Sequence, residues 1–199
     1  MTDPHFPLPA DEDLTPETHE VLAALPPLHI FRALAALPAS LRPFLELGGS
    51  ILAGAHLTAK ERELAILRVA HLTAASYERQ QHEQLARSVG ITETEIEATA
   101  ARSPGDTLGP DGALILRAAD EITLDVRLSD EVLAQIRERW GDRGAVELIL
   151  TVAYYNMVSR FLESTRVPLE AEDLLTDTTP QQIVREGRAS ADWTEEQNG

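Results

Sequence analysis

Glu78 and His82 interrupt what would otherwise be an apolar seam. The stretch Ala75–Val89 places Ala75, Glu78, His82, Leu85 and Val89 at alternating spacings of three and four, the spacing of a helix face turned to a core. The residues between them, Arg79, Gln80, Glu83, Gln84, Arg87 and Ser88, are polar and read as the outer face. A carboxyl and an imidazole four residues apart are neighbours one turn up the same face. Glu63 is a third ionisable residue in an apolar sector. On a helical wheel it falls with Ile66, Leu67 and Ala70, opposite an exposed sector marked by Glu61 and Arg68.

A buried carboxylate without a partner costs several kcal/mol, or it takes up a proton. The economical arrangement is one cluster in which His82 bridges Glu63 and Glu78. Such a coupled group is suited to moving a proton near neutral pH, which is general acid–base chemistry. The competing reading is a buried ion-pair cluster that fixes packing. A carboxylate-bridged metal pair uses Glu-x-x-His from each of two helices. Here the spacing is Glu-x-x-x-His and occurs once, so no metal and no cofactor is expected.

Other polar residues surround these candidates. Tyr77 adjoins the seam and is placed to line a pocket. The segment Ala145–Ser164 is apolar nearly all round, which marks a central helix, and it carries Glu147, Tyr154, Tyr155, Asn156 and Arg160. Tyr155 and Arg160 are the candidate pocket-lining residues on it. Arg160 is suited to an acidic ligand, with Glu147 or a helix end as the local alternative. His71, near a helix end, reads as a partner for the helix dipole.

Composition narrows the chemistry. The chain has 199 residues and no cysteine, so thiol nucleophiles, disulfides and thiolate metal sites are excluded. A formal net charge of −16 disfavours binding to nucleic acid, which needs clustered Lys and Arg. The first ten residues lack a basic, apolar leader, and no run of about 18 apolar residues exists. No membrane association is expected, and the cytoplasm is the expected compartment.

The elements that must position these residues are helical. Ala and Leu dominate, aromatics make up 5%, and no stretch shows sustained strand alternation. Residues 1–28 are Pro-rich and acidic, an extended arm with one short helix near Glu17–Leu25. Helices are expected at Ile30–Leu37 and Leu41–Leu52, punctuated by Pro38 and Pro43. Thr58–Glu61 and Thr92–Glu95 are capping boxes, opening helices to about Leu72 and Ala101. A helix over Ala75–Val89 stops at Gly90. A Gly/Pro loop spans Ser103–Gly112. Helices follow at Ala113–Val126, Asp130–Trp140 and Ala145–Ser164, the last two separated by Gly141 and Gly144. Residues 171–199 read as a polar, loosely held tail.

The stretch LTAKERELAILRVAHLTAASYERQQHEQLARSVGITETEIEA, Leu57–Ala98, resembles the signature of carboxymuconolactone decarboxylase-like and alkyl hydroperoxidase D-like (AhpD-like) proteins. ELILTVAYYNMVSRFLESTRVPLE, Glu147–Glu170, resembles the same group. The resemblance covers about 29–170. It implies an all-α, AhpD-like bundle of about six core helices that assembles as a homodimer, trimer or hexamer. In the alkyl hydroperoxidase D branch the active helix reads Cys-x-x-Cys-x-x-x-His, with a Glu twelve residues before the first Cys. His82 and Glu63 match that His and Glu, while the Cys positions fall on Ala75 and Glu78. The thiol peroxidase activity of that branch is therefore not expected here. The lactone decarboxylase branch has Glu-x-x-x-His at this place, matched by Glu78 and His82. What the resemblance implies is a cofactor-free acid–base lyase or decarboxylase acting on a small organic acid or lactone. His82, Glu78 and Glu63 would be its catalytic group. The alternative is a non-catalytic helical oligomer with a structural Glu–His cluster.

Overall fold

Thr15, Thr58, Thr92 and Ser129 each cap a helix with their own side chains, whereas the helices that follow Leu28, Leu37, Ala75 and Leu108 open without a side-chain cap. The computed structural model describes residues 5–54, 56–102, 106–176, 178–180 and 182–183, and these contain helices and no strand. After a 3-10 turn at Asp11–Asp13, the elements are α1 (Pro16–Ala23), α2 (His29–Leu34), α3 (Pro38–Leu52), α4 (Ala59–Leu72), α5 (Ser76–Ser88), α6 (Glu93–Ala100), α7 (Gly109–Leu124) and α8 (Asp130–Thr165).

Both expected capping boxes are formed. Thr58 Oγ1 accepts from the Glu61 amide at 3.2 Å, and the Glu61 carboxylate accepts from the Thr58 amide at 2.7 Å. Thr92 and Glu95 repeat the arrangement at 3.3 and 2.9 Å. Lys60 then donates to Glu95 at 2.6 Å, tying the start of α4 to the start of α6.

Three differences from the sequence reading have physical reasons. Helix α3 starts at Pro38 and continues through Pro43. Pro38 sits at the first turn, where its missing N–H is no loss, and Pro43 forfeits one backbone bond near the start. The last two expected helices are joined as α8, which kinks at Gly141 (φ 70°, ψ 177°), a conformation that needs glycine. The C-terminal stretch read as a loose tail is packed where it is described: Leu175 is 1% exposed, and its amide donates to the Gln84 side chain at 2.7 Å. The rest of that tail, and Ser103–Gly105 of the Gly/Pro loop, lie outside the described residues. The N-terminal arm also packs on the body, burying Val21, Leu25 and Leu28 in the core.

The core is organised around α4. It packs against α5, α6, α7 and α8, and every residue from Arg62 to Ala70 is buried. Arg68 therefore does not mark an exposed sector, as its charge suggested. Its guanidinium grips Asp120 of α7 through Nε at 2.5 Å and Nη2 at 3.0 Å. Nη1 also donates to the carbonyls of Thr99 and Ala101 at 2.9 and 2.8 Å, which finish α6. Arg62 donates to the carbonyls of Gly54 and Leu57 and to Glu147 of α8 at 3.2 Å. The partner considered for Glu147, Arg160, instead folds back on Asn156 of its own helix.

The α4–α5 turn sets up the site. Ala74 takes the left-handed conformation (φ 55°), and the Ala75 amide reaches back to the Ala70 carbonyl at 2.9 Å. This reverses the chain, so that α5 returns along α4 and brings His82 beside Glu63.

Replacing Arg68 with Leu is expected to lower unfolding stability by about 3 kcal/mol, since it strands part of Asp120 and two carbonyls. Replacing Arg137, whose ion pair with Asp142 is solvent-exposed, should have a much smaller effect. Urea denaturation of both variants measures the contrast.

Candidate active site

A cavity of about 360 Å³ opens between α3, α5 and α8, with the N-terminal arm and residues Leu175 and Ile183 completing its wall. Its lining is mainly apolar, with polar groups from α5 and α8 on one side and Arg42 and Glu46 of α3 on another. Gly48 allows α3 to approach α8 here: a Cβ at that position would lie 2.6 Å from the Tyr154 hydroxyl oxygen. Tyr154 donates to the Phe44 carbonyl at 3.2 Å.

His82, Glu78, Tyr77 and Tyr155 all line the cavity, and Glu63 stands directly behind His82. Glu63 is 0% exposed, Glu78 2% and His82 8%. His82 Nδ1 lies 2.8 Å from Glu63 Oε2. A carboxylate can only accept, so Nδ1 is the donor of this hydrogen bond to Glu63. Nε2 has no partner among the described residues. Tyr155 meets the imidazole edge-on, with ring centroids 4.8 Å apart, and braces its plane.

The expected bridge from His82 to Glu78 is not formed. Glu78 Oε2 accepts instead from Ser159 of α8 at 3.0 Å, and its Oε1 is buried without a partner. Burial is the main reason that the Glu78 carboxyl titrates well above the ordinary glutamate range. The Ser159 hydrogen bond opposes that shift, and the charges of Glu163 and Glu63 reinforce it. Burial thus favours the protonated form of Glu78, whereas Glu63 is the imidazole's direct partner.

Tyr77 lines the cavity, but its hydroxyl is fully engaged. It donates to Glu170 Oε1 at 2.5 Å and accepts from the Ile30 amide at 3.1 Å. Burial and the Glu170 hydrogen bond push its pKa upward. Arg160 is exposed and does not line the cavity, which corrects the reading of it as a pocket residue.

Sequence reasoning missed several contributors. Glu170 is buried and accepts from the His29 amide at 2.7 Å, Tyr77 and Gln81 Nε2 at 2.6 Å, so it clasps the N-terminal arm, α5 and the segment after α8. Its only sequence signal was a carboxylate two residues after Pro168 in an otherwise apolar run. Ser159, a small polar residue inside the apolar α8, was a comparable signal for the Glu78 partner. Gln81 and Gln84, on the helix read as polar outside its seam, are both buried. His71 is half-buried, with Nε2 unpartnered. Among the described residues no group of three or more His, Asp or Glu is placed to hold a metal ion, and no helix is long and apolar enough to cross a membrane.

Glu78 should make the fold sensitive to pH. Above the ordinary glutamate pKa of about 4.3 the unfolded chain has lost the proton that the folded chain keeps, so stability falls as pH rises. Glu78→Gln removes that slope and keeps an acceptor for Ser159. Its stability relative to the parent should therefore improve steadily from about pH 5 to pH 8 in urea titrations. A difference independent of pH would show that Glu78 is ionised in the fold.

The sequence profile of the carboxymuconolactone decarboxylase family matches residues 38–111, which hold Glu63, Glu78 and His82. No curated protein sequence matches the chain. The fold is shared with the crystal structure of an alkylhydroperoxidase AhpD core, an uncharacterized peroxidase-related protein from Ralstonia eutropha JMP134. The TM-score is 0.75 at 16% identity, covering 89% of this chain and 96% of that one. An uncharacterized peroxidase-related protein from Silicibacter sp. TM1040 is similar at a TM-score of 0.70 and 18% identity, covering 87% of this chain and 97% of that one. Residues 38–111 thus carry the signature of the carboxymuconolactone decarboxylase family, within an all-α fold shared with the AhpD core.

Proposed function

We propose that the cavity is the active site of a cofactor-free acid–base lyase or decarboxylase acting on a small organic acid or lactone. The observation that carries this reading is the His82 imidazole, held at Nδ1 by a buried carboxylate 2.8 Å away, in the wall of a cavity of ligand size. His82 is the general acid–base through Nε2. Glu63 is a positioning residue: it fixes the tautomer and stabilises the imidazolium that forms when Nε2 takes a proton. Glu78, kept neutral by burial, is a hydrogen-bond donor to developing negative charge.

In a decarboxylation the carbon–carboxyl bond breaks and its electron pair stays on carbon. The imidazolium Nε2–H then protonates that carbon, carbon dioxide leaves, and the imidazole regains a proton from solvent. In a lactone, abstraction of a proton beside the carbonyl uses the same nitrogen in the opposite direction. Peroxide reduction through thiols, suggested by the names of the structural neighbours, has no nucleophile here because the chain lacks cysteine.

The structural alternative has one observation in its favour: the Glu63–His82 pair also ties α5 to α4. It predicts that His82→Ala lowers stability by a few kcal/mol and changes nothing else. The catalytic reading predicts a loss of about 100-fold or more in turnover with the helix content retained. Small carboxylic acids and lactones incubated in deuterium oxide, followed by proton NMR, supply the assay. Deuterium uptake or carbon dioxide release should require His82 and should fall about 10-fold or more in Glu63→Gln. If no compound in the panel reacts in a His82-dependent way, the catalytic role is lost.

The chain is also proposed to self-associate. Val146 (63% exposed), Leu150 (44%) and Met157 (47%) lie in one row on α8, an apolar strip that a second copy would cover. Light scattering should find an oligomer, and Leu150→Arg should shift it towards monomer.

A further inference from the structure

The cavity contains a cation that the mechanism does not use. Arg42 of α3 lines it, is half-buried, and makes no hydrogen bond or ion pair with any described residue. The contrast with the other arginines is the informative point. Arg62 and Arg68, which are more buried, each hold an acidic partner. Arg32, as deep as Arg42, pairs with Asp11. The other described arginines without an acidic partner, Arg102, Arg127, Arg143, Arg160 and Arg166, are all exposed to water. In a chain of net charge −16, a half-buried arginine with no acidic partner among the described residues stands against a strong statistical and energetic preference. Glu46, one turn further along α3 and also at the cavity, is exposed and forms no ion pair with it.

The walls around this cation are aliphatic and aromatic, including Phe31, Phe44, Leu45, Leu52, Val158 and Leu162. An apolar chamber lowers the local dielectric, so a free guanidinium there attracts an anion more strongly than it would in water. A guanidinium fork matches a carboxylate in particular. We propose that Arg42 is the substrate-anchoring residue, and that the ligand class is a monocarboxylate with an apolar body. The carboxylate docks on Arg42 and the body fills the apolar chamber. Gln81 adds a polar contact within the same wall. Its Nε2 is committed to Glu170, which fixes the side chain in that wall.

This assignment deepens the acid–base reading and rests on it only for the word substrate. It also constrains the chemistry. Pairing a carboxylate with arginine stabilises its charge in the ground state and resists its departure as carbon dioxide. The single carboxylate on Arg42 is therefore the handle that is retained, so the anchor selects the proton-transfer branch of the acid–base reading, at a different carbon presented to His82, and not loss of carbon dioxide.

Calorimetric titration of the full-length protein with octanoate, octanol and octylamine tests the assignment. The parent protein should bind octanoate at least about tenfold more tightly than octanol, the ratio expected for a charged hydrogen-bonded pair. In Arg42→Gln that ratio should collapse to about one, with octanol affinity unchanged as evidence of an intact chamber. In Arg42→Glu the preference should pass to octylamine. Equal affinity for octanoate and octanol in the parent overturns the proposal, as does a preference for octanoate that survives Arg42→Gln. His82→Ala should leave octanoate affinity unchanged. An Arg42-dependent octanoate complex without any His82-dependent turnover would therefore remove the catalytic reading and leave the anchor standing. Turnover without carboxylate selectivity would do the reverse.

Discussion

Helix α4 is buried on every side yet carries charge, and the need to neutralise that charge organises its neighbours. Arg62 reaches Glu147 of α8, Glu63 reaches His82 of α5, and Arg68 reaches Asp120 of α7. Apolar burial alone brings helices together without fixing their register closely. An unpaired buried charge costs far more than a shifted methyl group, so each pair selects one alignment of its two helices. The site is a consequence of this arrangement, because one of the three pairs includes a histidine that lines the cavity.

The buried carboxylates near the cavity show how environment divides the work of one side-chain type. Glu63 has an imidazole as its partner and acts through it. Glu78 has only a serine hydroxyl and lies deep in the fold, and burial pushes its carboxyl above the ordinary glutamate range. Glu170 accepts from an amide, a phenol and a carboxamide, and serves as a clasp. Burial and hydrogen-bond partners thus give one side-chain type three different roles. The clasp at Glu170 bears on the cavity as well. It holds the N-terminal arm and the chain after α8 as walls, so the arm is part of the site rather than an appendage.

The helical framework was legible because its signals are local. Thr58, Thr92 and Ser129 cap helices with their own side chains, and the turn residues Gly90 and Gly141 adopt backbone conformations that few other residues tolerate. The same holds for the polar interruptions at Glu63, Glu78 and His82: periodicity alone showed that ionisable groups faced the interior. Periodicity misjudged Arg68 and Gln84, since a helix packed on all sides has no outer face for the pattern to reveal.

Residue types and their spacing determined that the protein is helical, that it lacks thiol chemistry, and that two glutamates and a histidine are drawn inward. These follow from short-range propensity and from the absence of a reactive atom, and neither requires knowing what lies across the core. Only the tertiary structure decided who partners whom: His82 with Glu63 rather than Glu78, Glu78 with Ser159, Glu147 with Arg62 rather than Arg160, and Arg42 with none of the described residues. Those pairings join residues up to 85 positions apart in the chain, as Arg62 and Glu147 are. Their geometry depends on how helices cross in space, which no local pattern encodes.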